Sequence, residues 1–230
     1  EIPRMWKKNR VILFLERPHI ETTVFVNGKE VGHQMSLSVP HEYDITDYVK
    51  FGKNNSIAIK IYNGIENVGV GQDSHSVTDQ TQGNWNGIVG KIELRSQKSI
   101  FTVKTFPDLT TGNVKVLVND KEYNLKIDNP QLWSEFTPIL YTRSIIYRGD
   151  TIPVTFGFRK IEVKGRDIML NGRPIYVRGT VENCNFPLTG YPPTDVESWK
   201  KIIQKCKDYG INTMRFHSYC PPEAAFIAAD

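Results

Sequence analysis

The sequence predicts antiparallel β-sheet domains followed by the beginning of a mixed α/β unit. Short apolar segments that alternate with polar residues recur through residues 1–158, separated by turn residues. This pattern is typical of a sandwich or a jelly roll. Residues 171–230 instead predict the order strand, helix, strand, helix, which indicates parallel strands joined by crossovers.

The first predicted domain covers residues 1–97. Its most specific local signal is Asn27-Gly28, a dipeptide that favours the two-residue turn of a β-hairpin. This turn joins the predicted strands Thr22–Val26 and Lys29–Val31. The segment Tyr43–Val49 is predicted to be a polar connection. Further strands are predicted at Val11–Glu16, Asn55–Tyr62 and Val89–Leu94.

A long polar loop is predicted between residues 63 and 83 of this domain. Its Asp73, His75 and Asp79 could contact a sugar or a metal, but they lack the spacing of a metal site. Trp85, directly after the loop, is expected to pack inside the sandwich rather than to serve as a platform for a sugar ring.

Residues 98–158 predict a second β domain, which is small for a two-sheet sandwich of about 100 residues. Its turns are marked by Asn129-Pro130 and Thr137-Pro138. The predicted strands are Phe101–Lys104, Asn113–Val118, Tyr123–Ile127 and Ser144–Tyr147.

The remaining residues, 159–230, predict the α/β unit. A strand is predicted at Arg173–Arg178, and the capping box Thr194–Glu197 then begins a helix with Thr194 as its N-cap. Gly210 ends that helix. A second strand follows at Ile211–Phe216, and Pro221-Pro222 begins the next helix. The apolar face of the first helix consists of Trp199, Ile202, Ile203 and Cys206.

Composition narrows the possible partners. The chain has 230 residues and a formal net charge of +4, with no basic block of the kind that favours nucleic acid. No segment is long and apolar enough to predict a membrane span. The 3 cysteines, Cys184, Cys206 and Cys220, do not have the number or spacing of a disulfide framework or a zinc site. We predict free thiols, with a Cys184–Cys220 disulfide as the alternative.

Polar residues cluster where the two predicted parallel strands end. In such folds ligands bind beyond the carboxyl ends of the strands. Each residue also has a structural alternative: Arg215 could hold a carboxylate, His217 could be a core histidine, and Glu182 and Asn183 could be loop residues. The cluster consists of Glu182, Asn183 and Cys184 after the first strand, and Arg215, His217 and Ser218 after the second.

Several segments, in order along the chain, resemble glycoside hydrolase family 2, which contains β-galactosidases, β-glucuronidases and β-mannosidases. Together these segments extend the resemblance over nearly the whole chain. The segments are Thr22–Gly32, Tyr43–Asp47, Asn84–Gly90, Asn129–Trp133 with Ile139–Tyr141, Phe156–Arg159, and Leu170–Pro174 with Arg178-Gly179.

The resemblance implies three parts: a partial jelly-roll sugar-binding domain (1–97), a small immunoglobulin-like β-sandwich (98–158), and the N-terminal part of a (β/α)₈ TIM barrel (159–230). It also implies that the jelly roll lacks its first strands. The family's two catalytic glutamates are expected beyond residue 230. We therefore expect no catalytic residue in this chain and no activity from the chain alone.

The implied function is that of a β-galactosidase-like retaining β-glycosidase acting on O-glycosidic bonds, and the implied partner is a carbohydrate. The alternative is a non-catalytic carbohydrate-binding or adhesion protein of the same architecture. Neither a cofactor nor a metal is expected. The family also implies a periplasmic or extracellular location and a possible homo-oligomer in the full-length enzyme.

Four residues are expected to bind substrate: Arg215, His217, Asn183 and Glu182. Arg215 matches the family's arginine at the end of the second barrel strand. The family follows this arginine with Ser-His-Tyr, whereas here the order is Phe216-His217-Ser218-Tyr219, so His217 lies one place out of register. Asn183 and Glu182 stand where galactosidases carry a histidine and an arginine.

Overall fold

The computed structural model describes residues 1–69, 85–99 and 101–230. Over these residues the chain forms two compact units. The first unit consists of residues 1–97 and 179–229, and the second consists of residues 98–178 with residue 230.

The first unit begins as a pair of antiparallel sheets. Within residues 1–69 and 85–97, one sheet has the order β4-β1-β6 and the other the order β3-β2-β5. As predicted, Asn27 and Gly28 form the β2–β3 turn, and both have positive φ (51° and 80°). The strands are β1 (Arg10–His19), β2 (Glu21–Val26), β3 (Lys29–Met35), β4 (His41–Asp44), β5 (Ile57–Tyr62) and β6 (Gly87–Gln97).

Inward-facing residues of the two sheets form a single apolar core. Val24 and Val26 alternate with less buried neighbours along β2, as expected for a sheet with one face covered. In β1 the apolar run is buried almost throughout. The buried members of this core are Ile2, Val11, Leu13, Leu15, Val24, Val26, Tyr43 and Ile45.

The prediction of a polar connection at Tyr43–Val49 is wrong at its beginning. Tyr43 lies in β4, which pairs with β1 through Leu13. Its ring is buried because its hydroxyl has partners: it donates to the Thr22 carbonyl oxygen (2.8 Å) and lies 2.7 Å from the Thr22 hydroxyl. The strand was not predicted because its residue types are mostly polar.

His41, at the start of β4, completes this buried polar cluster. Its Nδ1 lies 2.6 Å from the Thr22 hydroxyl, and the residue is 1% exposed. Its Nε2 has no hydrogen-bond partner within the described residues. Burial, assisted by the charge of His33, lowers the pKa of His41 to about 4. The folded sandwich therefore holds this imidazole neutral.

The first unit ends with alternating strands and helices. These elements are β15 (Gly179–Glu182), α1 (Val196–Asp208), β16 (Thr213–Phe216) and α2 (Glu223–Ala229). The two strands pair in parallel, as predicted. The first strand was placed wrongly, however, because Arg173–Arg178 contributes only the short antiparallel β14 (Arg173–Pro174). Its apolar pattern predicted a strand, but it is the following segment that pairs with β16.

Helix α1 begins one residue later than predicted. Asp195, not Thr194, is the N-cap, and its carboxylate accepts a hydrogen bond from the Ser198 amide (2.8 Å). Gly210 follows the helix with a φ of +73°, as predicted. Trp199 is fully buried against Ala224 and Ala225, and both helices are thereby fixed to each other.

The second unit is also β-rich. Its core consists of the alternating apolar residues of β8 and the inward residues of β10 and β11. Strand β11 was not predicted. It contains Pro153, which an edge position tolerates, and within the described residues it pairs only with β10. The strands are β7 (Val103–Pro107), β8 (Asn113–Val118), β9 (Lys121–Lys126), β10 (Tyr141–Tyr147), β11 (Asp150–Phe156), β12 (Ile161–Lys164), β13 (Asp167–Leu170) and the short β14.

We predict that acid destabilises the sandwich between about pH 6.5 and pH 4 because of His41. The unfolded chain binds a proton on this histidine in that range and the folded state does not, so stability falls as pH falls. The loss should be on the order of 1–3 kcal/mol. Urea unfolding at a series of pH values measures it.

The substitution His41→Asn should remove most of this slope, since Asn keeps an acceptor for Thr22 but does not titrate. His33→Asn is the matched control, because His33 is half-exposed beside Glu21. Equal slopes in wild type and His41→Asn would show that another group is responsible.

Candidate functional site

The parallel pair β15–β16 positions the residues expected to bind substrate. The pairing places Val181 beside Arg215 and Glu182 beside Phe216. It continues one step further, because the His217 amide donates to the Glu182 carbonyl oxygen (2.8 Å). The predicted residues of both strands therefore lie at the same carboxyl edge.

The two strands nevertheless place Glu182 and Arg215 on opposite faces. Neighbouring side chains of a strand alternate between faces, and paired residues share one. Phe216 packs edge-on against Trp199 of α1, with ring centroids 5.8 Å apart, so Phe216 and Glu182 lie on the helix-covered face. Arg215 and Val181 lie on the other face, and both are exposed.

Arg215 and His217 form a hydrogen-bonded pair on this open face. Nη1 of Arg215 lies 3.1 Å from Nδ1 of His217. Because a guanidinium can only donate, Nδ1 is the acceptor and the neutral imidazole carries its proton on Nε2. The pair thus combines a fixed positive charge with an oriented imidazole, a combination suited to oxygen ligands such as sugar hydroxyls or carboxylates.

Glu182 is a half-buried acid that anchors the turn after β15. One carboxylate oxygen accepts from the Cys184 amide (3.0 Å), and the other is buried without a partner among the described residues. Burial raises the pKa of Glu182, and amide hydrogen bonds from Cys184 and Asn185 offset only part of the rise. Asn183 follows at an exposed position.

The cysteines around the site are free thiols, as predicted. Cys184 is buried and has a positive φ of 57°. Burial raises the pKa of its thiol to about 12, and the charge of Glu182 adds to the rise. Cys220 is exposed after β16. A thiol as weakly acidic as Cys184 is inert as a nucleophile at neutral pH.

Arg17 of β1 also contacts this region, through the Cys220 backbone. No sequence motif marks it as a site residue. It is 2% exposed. Its Nη1 donates to the Ser38 carbonyl oxygen (3.1 Å) and its Nη2 to the Cys220 carbonyl oxygen (2.9 Å). The guanidinium carbon lies 5.8 Å from the Trp85 ring centroid. The available signal was the pair Glu16-Arg17, which interrupts an apolar strand.

A groove of about 540 Å³ lies between the start of β6 and the segment before α1. Trp85 borders it but is only 8% exposed, and its Nε1 donates to the Arg17 carbonyl oxygen (3.3 Å). Trp85 therefore packs in the interior, as predicted. Asp73, His75 and Asp79 lie outside the described residues.

Gly90 brings two sides of this groove into contact. Its φ is +81°, and a Cβ at this position would lie 2.3 Å from a carboxylate oxygen of Glu16 and 3.0 Å from Cγ2 of Thr194. That oxygen of the buried Glu16 accepts from the Lys91 amide (2.7 Å). The close approach therefore requires the absence of a side chain.

Among the described residues no group of His, Cys, Asp and Glu could hold a metal ion. The same part of the chain contains no helix long and apolar enough to cross a membrane.

The chain is similar to known glycoside hydrolases. Residues 1–98 match the model of the sugar-binding domain of glycosyl hydrolases family 2. A β-galactosidase of Actinobacillus pleuropneumoniae is 25% identical over 93% of this chain and 23% of its own length. A putative β-glucuronidase of Formosa agariphila is 28% identical over 89% of the chain and 23% of its own length.

Solved structures share the fold over the whole chain. A β-glucuronidase from Ruminococcus gnavus, solved with a C6-substituted uronic isofagomine, has a TM-score of 0.78 at 20% identity. It covers 100% of this chain, which spans 46% of that protein. A family 2 member from Bacteroides cellulosilyticus has a TM-score of 0.72 at 19% identity. That match covers 99% of this chain and 37% of the other.

The first 98 residues match the sugar-binding domain of glycosyl hydrolases family 2. Over about nine tenths of its length the chain is similar to a β-galactosidase and a putative β-glucuronidase. The chain spans about a quarter of the length of these curated relatives.

We predict that Gly90→Ala destabilises the first unit by about 2–4 kcal/mol, since backbone strain at positive φ adds to overpacking against Glu16 and Thr194. Gly28→Ala is the matched control, because Gly28 has a φ of +80° and nothing within 4 Å of its would-be Cβ. It should cost only about 1–2 kcal/mol. Denaturant titration compares the two, and equal losses would refute the close approach.

Proposed function

We propose that the protein containing this chain is a β-glycosidase that hydrolyses O-glycosidic bonds of carbohydrates with retention. The match of residues 1–98 to the family's sugar-binding domain supports the hydrolase class, and the names of the relatives support β-galactosides or β-glucuronides as substrates. In retaining hydrolysis one carboxyl group protonates the leaving oxygen while a second attacks the anomeric carbon.

In this proposal residues 1–97 are a jelly-roll domain, residues 98–158 are an immunoglobulin-like sandwich, and β15-α1-β16-α2 begins a (β/α)₈ barrel. The parallel pairing of β15 with β16 supports the barrel assignment. The two catalytic carboxylates would come from other barrel strands. We accordingly expect no turnover from the 230 residues alone.

The observation that carries the assignment of a binding role is the pair of Arg215 and His217 on the open face of the parallel strands. In a (β/α)₈ barrel the face away from the helices is the interior, and the carboxyl edge is the mouth of the active site. Arg215 would donate to sugar oxygens, and it would hold His217 in one tautomer for a second contact.

Glu182 and Asn183 are proposed at the rim of the same pocket. Because Glu182 lies on the helix-covered face, its side chain is better placed to hold the turn at Cys184 than to contact a sugar directly. Asn183 is exposed beyond the strand end, where its amide would be available to a sugar at the mouth.

The exposed guanidinium of Arg215 favours a second candidate substrate class. A uronate carries a carboxylate, which an arginine binds with two parallel hydrogen bonds, whereas a galactoside offers only hydroxyls. Since similar structures include β-glucuronidases, β-glucuronides belong in the test beside β-galactosides. A periplasmic or extracellular location stays a prediction that cell fractionation tests.

The test measures hydrolysis of chromogenic β-galactosides, β-glucuronides and β-mannosides by the full-length protein. Arg215→Ala should lower kcat/KM about 10- to 100-fold for the preferred substrate, since a charge-assisted hydrogen bond is lost. Arg166→Ala, at an exposed residue of the second unit, is the control and should leave kcat/KM unchanged. Glu182→Gln should change kcat/KM less than Arg215→Ala.

Binding of sugars without hydrolysis would instead support the non-catalytic carbohydrate-binding alternative. Full activity in Arg215→Ala would show that the open face is not the substrate side. Turnover by the 230 residues alone would place catalytic carboxylates inside this chain.

A further inference from the structure

The segment after β16 is held at both backbone polar groups of one residue, Cys220. At Cys220, the carbonyl oxygen accepts from Arg17 (2.9 Å) and the amide donates to the Ser38 hydroxyl (3.2 Å). Arg17 also donates to the Ser38 carbonyl oxygen (3.1 Å). The β-sandwich thus fixes Cys220 at both its donor and its acceptor.

Burying the charge of Arg17 costs free energy, so a gain in stability does not by itself explain its position. Arg17 is almost completely buried, and no carboxylate lies within 4.0 Å of its guanidinium among the described residues. Its Nε has no hydrogen-bond partner in that part of the chain. Burial lowers the pKa of Arg17, and the neighbouring Cys184, Cys220 and Glu16 offset only part of this effect. A buried cation whose contacts are two carbonyl oxygens and an aromatic ring is normally unfavourable. Such a residue indicates a geometric role.

Cys220 lies three residues beyond His217. The intervening chain has little freedom, because Ser218 adopts a positive φ of 61° and Tyr219 packs edge-on against Phe216 (5.7 Å between ring centroids). On the other side Pro221 and Pro222 are buried at the start of α2. A displacement of Cys220 is therefore transmitted to His217.

We propose that Arg17 is a positioning residue for the sugar pocket: it fixes segment 217–222 and thereby the orientation of the Arg215–His217 pair. The arginine comes from the β-sandwich, so the first domain sets the geometry of a barrel loop without contacting the sugar. The catalytic consequence rests on the proposed function, whereas the conformational consequence does not.

Hydrogen–deuterium exchange tests the conformational part in the full-length protein. In Arg17→Met, amide exchange in the peptide covering 217–220 should rise at least 10-fold. The Cys220 carbonyl oxygen loses its donor, so the segment that holds the Cys220 and His217 amides against Ser38 and Glu182 is no longer fixed. Arg10→Met is the matched control: Arg10 lies in the same strand but is paired at the surface with Asp44. It should leave exchange in 217–220 unchanged.

Kinetics on the substrate found in the panel tests the catalytic part. Arg17→Met should lower kcat/KM about 10-fold, mainly through KM, in protein shown to be folded by its circular dichroism and melting temperature. Arg17→Lys should recover part of this loss, because an ammonium keeps the charge and can donate to a carbonyl oxygen but lacks the planar fork that reaches Ser38 and Cys220 from separate nitrogens. Ser38→Ala should raise exchange at Cys220 to a smaller extent. A purely structural arginine would reduce the folded fraction without changing KM.

Unchanged exchange in Arg17→Met would overturn the proposal whatever the activity. Raised exchange with unchanged KM and kcat would overturn the positioning role. If the wild-type protein hydrolyses none of the glycosides, the proposed function fails, and affinity for the same sugars, compared between wild type and Arg17→Met, then decides whether the clamp shapes a binding pocket.

Discussion

The burial of two adjacent charged residues, Glu16 and Arg17, constrains much of the first unit. The pairing of β1 with β6 shifts between Leu15 and Arg17, and a bulge of this kind lets consecutive side chains escape strict alternation. Glu16 binds the Lys91 amide of β6, and Arg17 binds carbonyl oxygens at Ser38 and Cys220. Because buried charges are costly without partners, these distant segments must keep their positions for β1 to remain folded as it is.

Local signals predicted most of the β structure correctly. The Asn27-Gly28 turn and the alternation of β8 depend only on neighbouring residues and on one covered face, so the sequence contains them. The errors arose where distant contacts decide. Tyr43 is buried through Thr22, which lies 21 residues away, and β15 exists because β16 pairs with it. The N-cap is Asp195 and not the predicted Thr194, although both residue types are strong caps.

In the candidate site, too, the sequence predicted the topology but not the geometry of the side chains. The rule that ligands bind beyond the carboxyl ends of parallel strands predicted a polar cluster there, and the family resemblance then singled out Arg215, His217, Glu182 and Asn183 as candidates. It could not tell which face each side chain occupies, because that depends on the register of β15 against β16. Moving the predicted first strand from 173–178 to Gly179–Glu182 changed Glu182 from a residue beyond the strand into its last member.

If the proposed function holds, the separation of Glu182 and Arg215 would allow one scaffold to bind sugars of different charge. The half-buried Glu182 is tied to the Cys184 turn, so its substitution would disturb the loop itself. Arg215 has an exposed side chain whose described contact, His217, lies two residues further on. Its surroundings can therefore change without refolding the strand pair. Specificity would then be adjusted by the side chains that face the open side, while the buried hydrogen bonds at Cys184 and Cys220 keep the backbone beneath them constant.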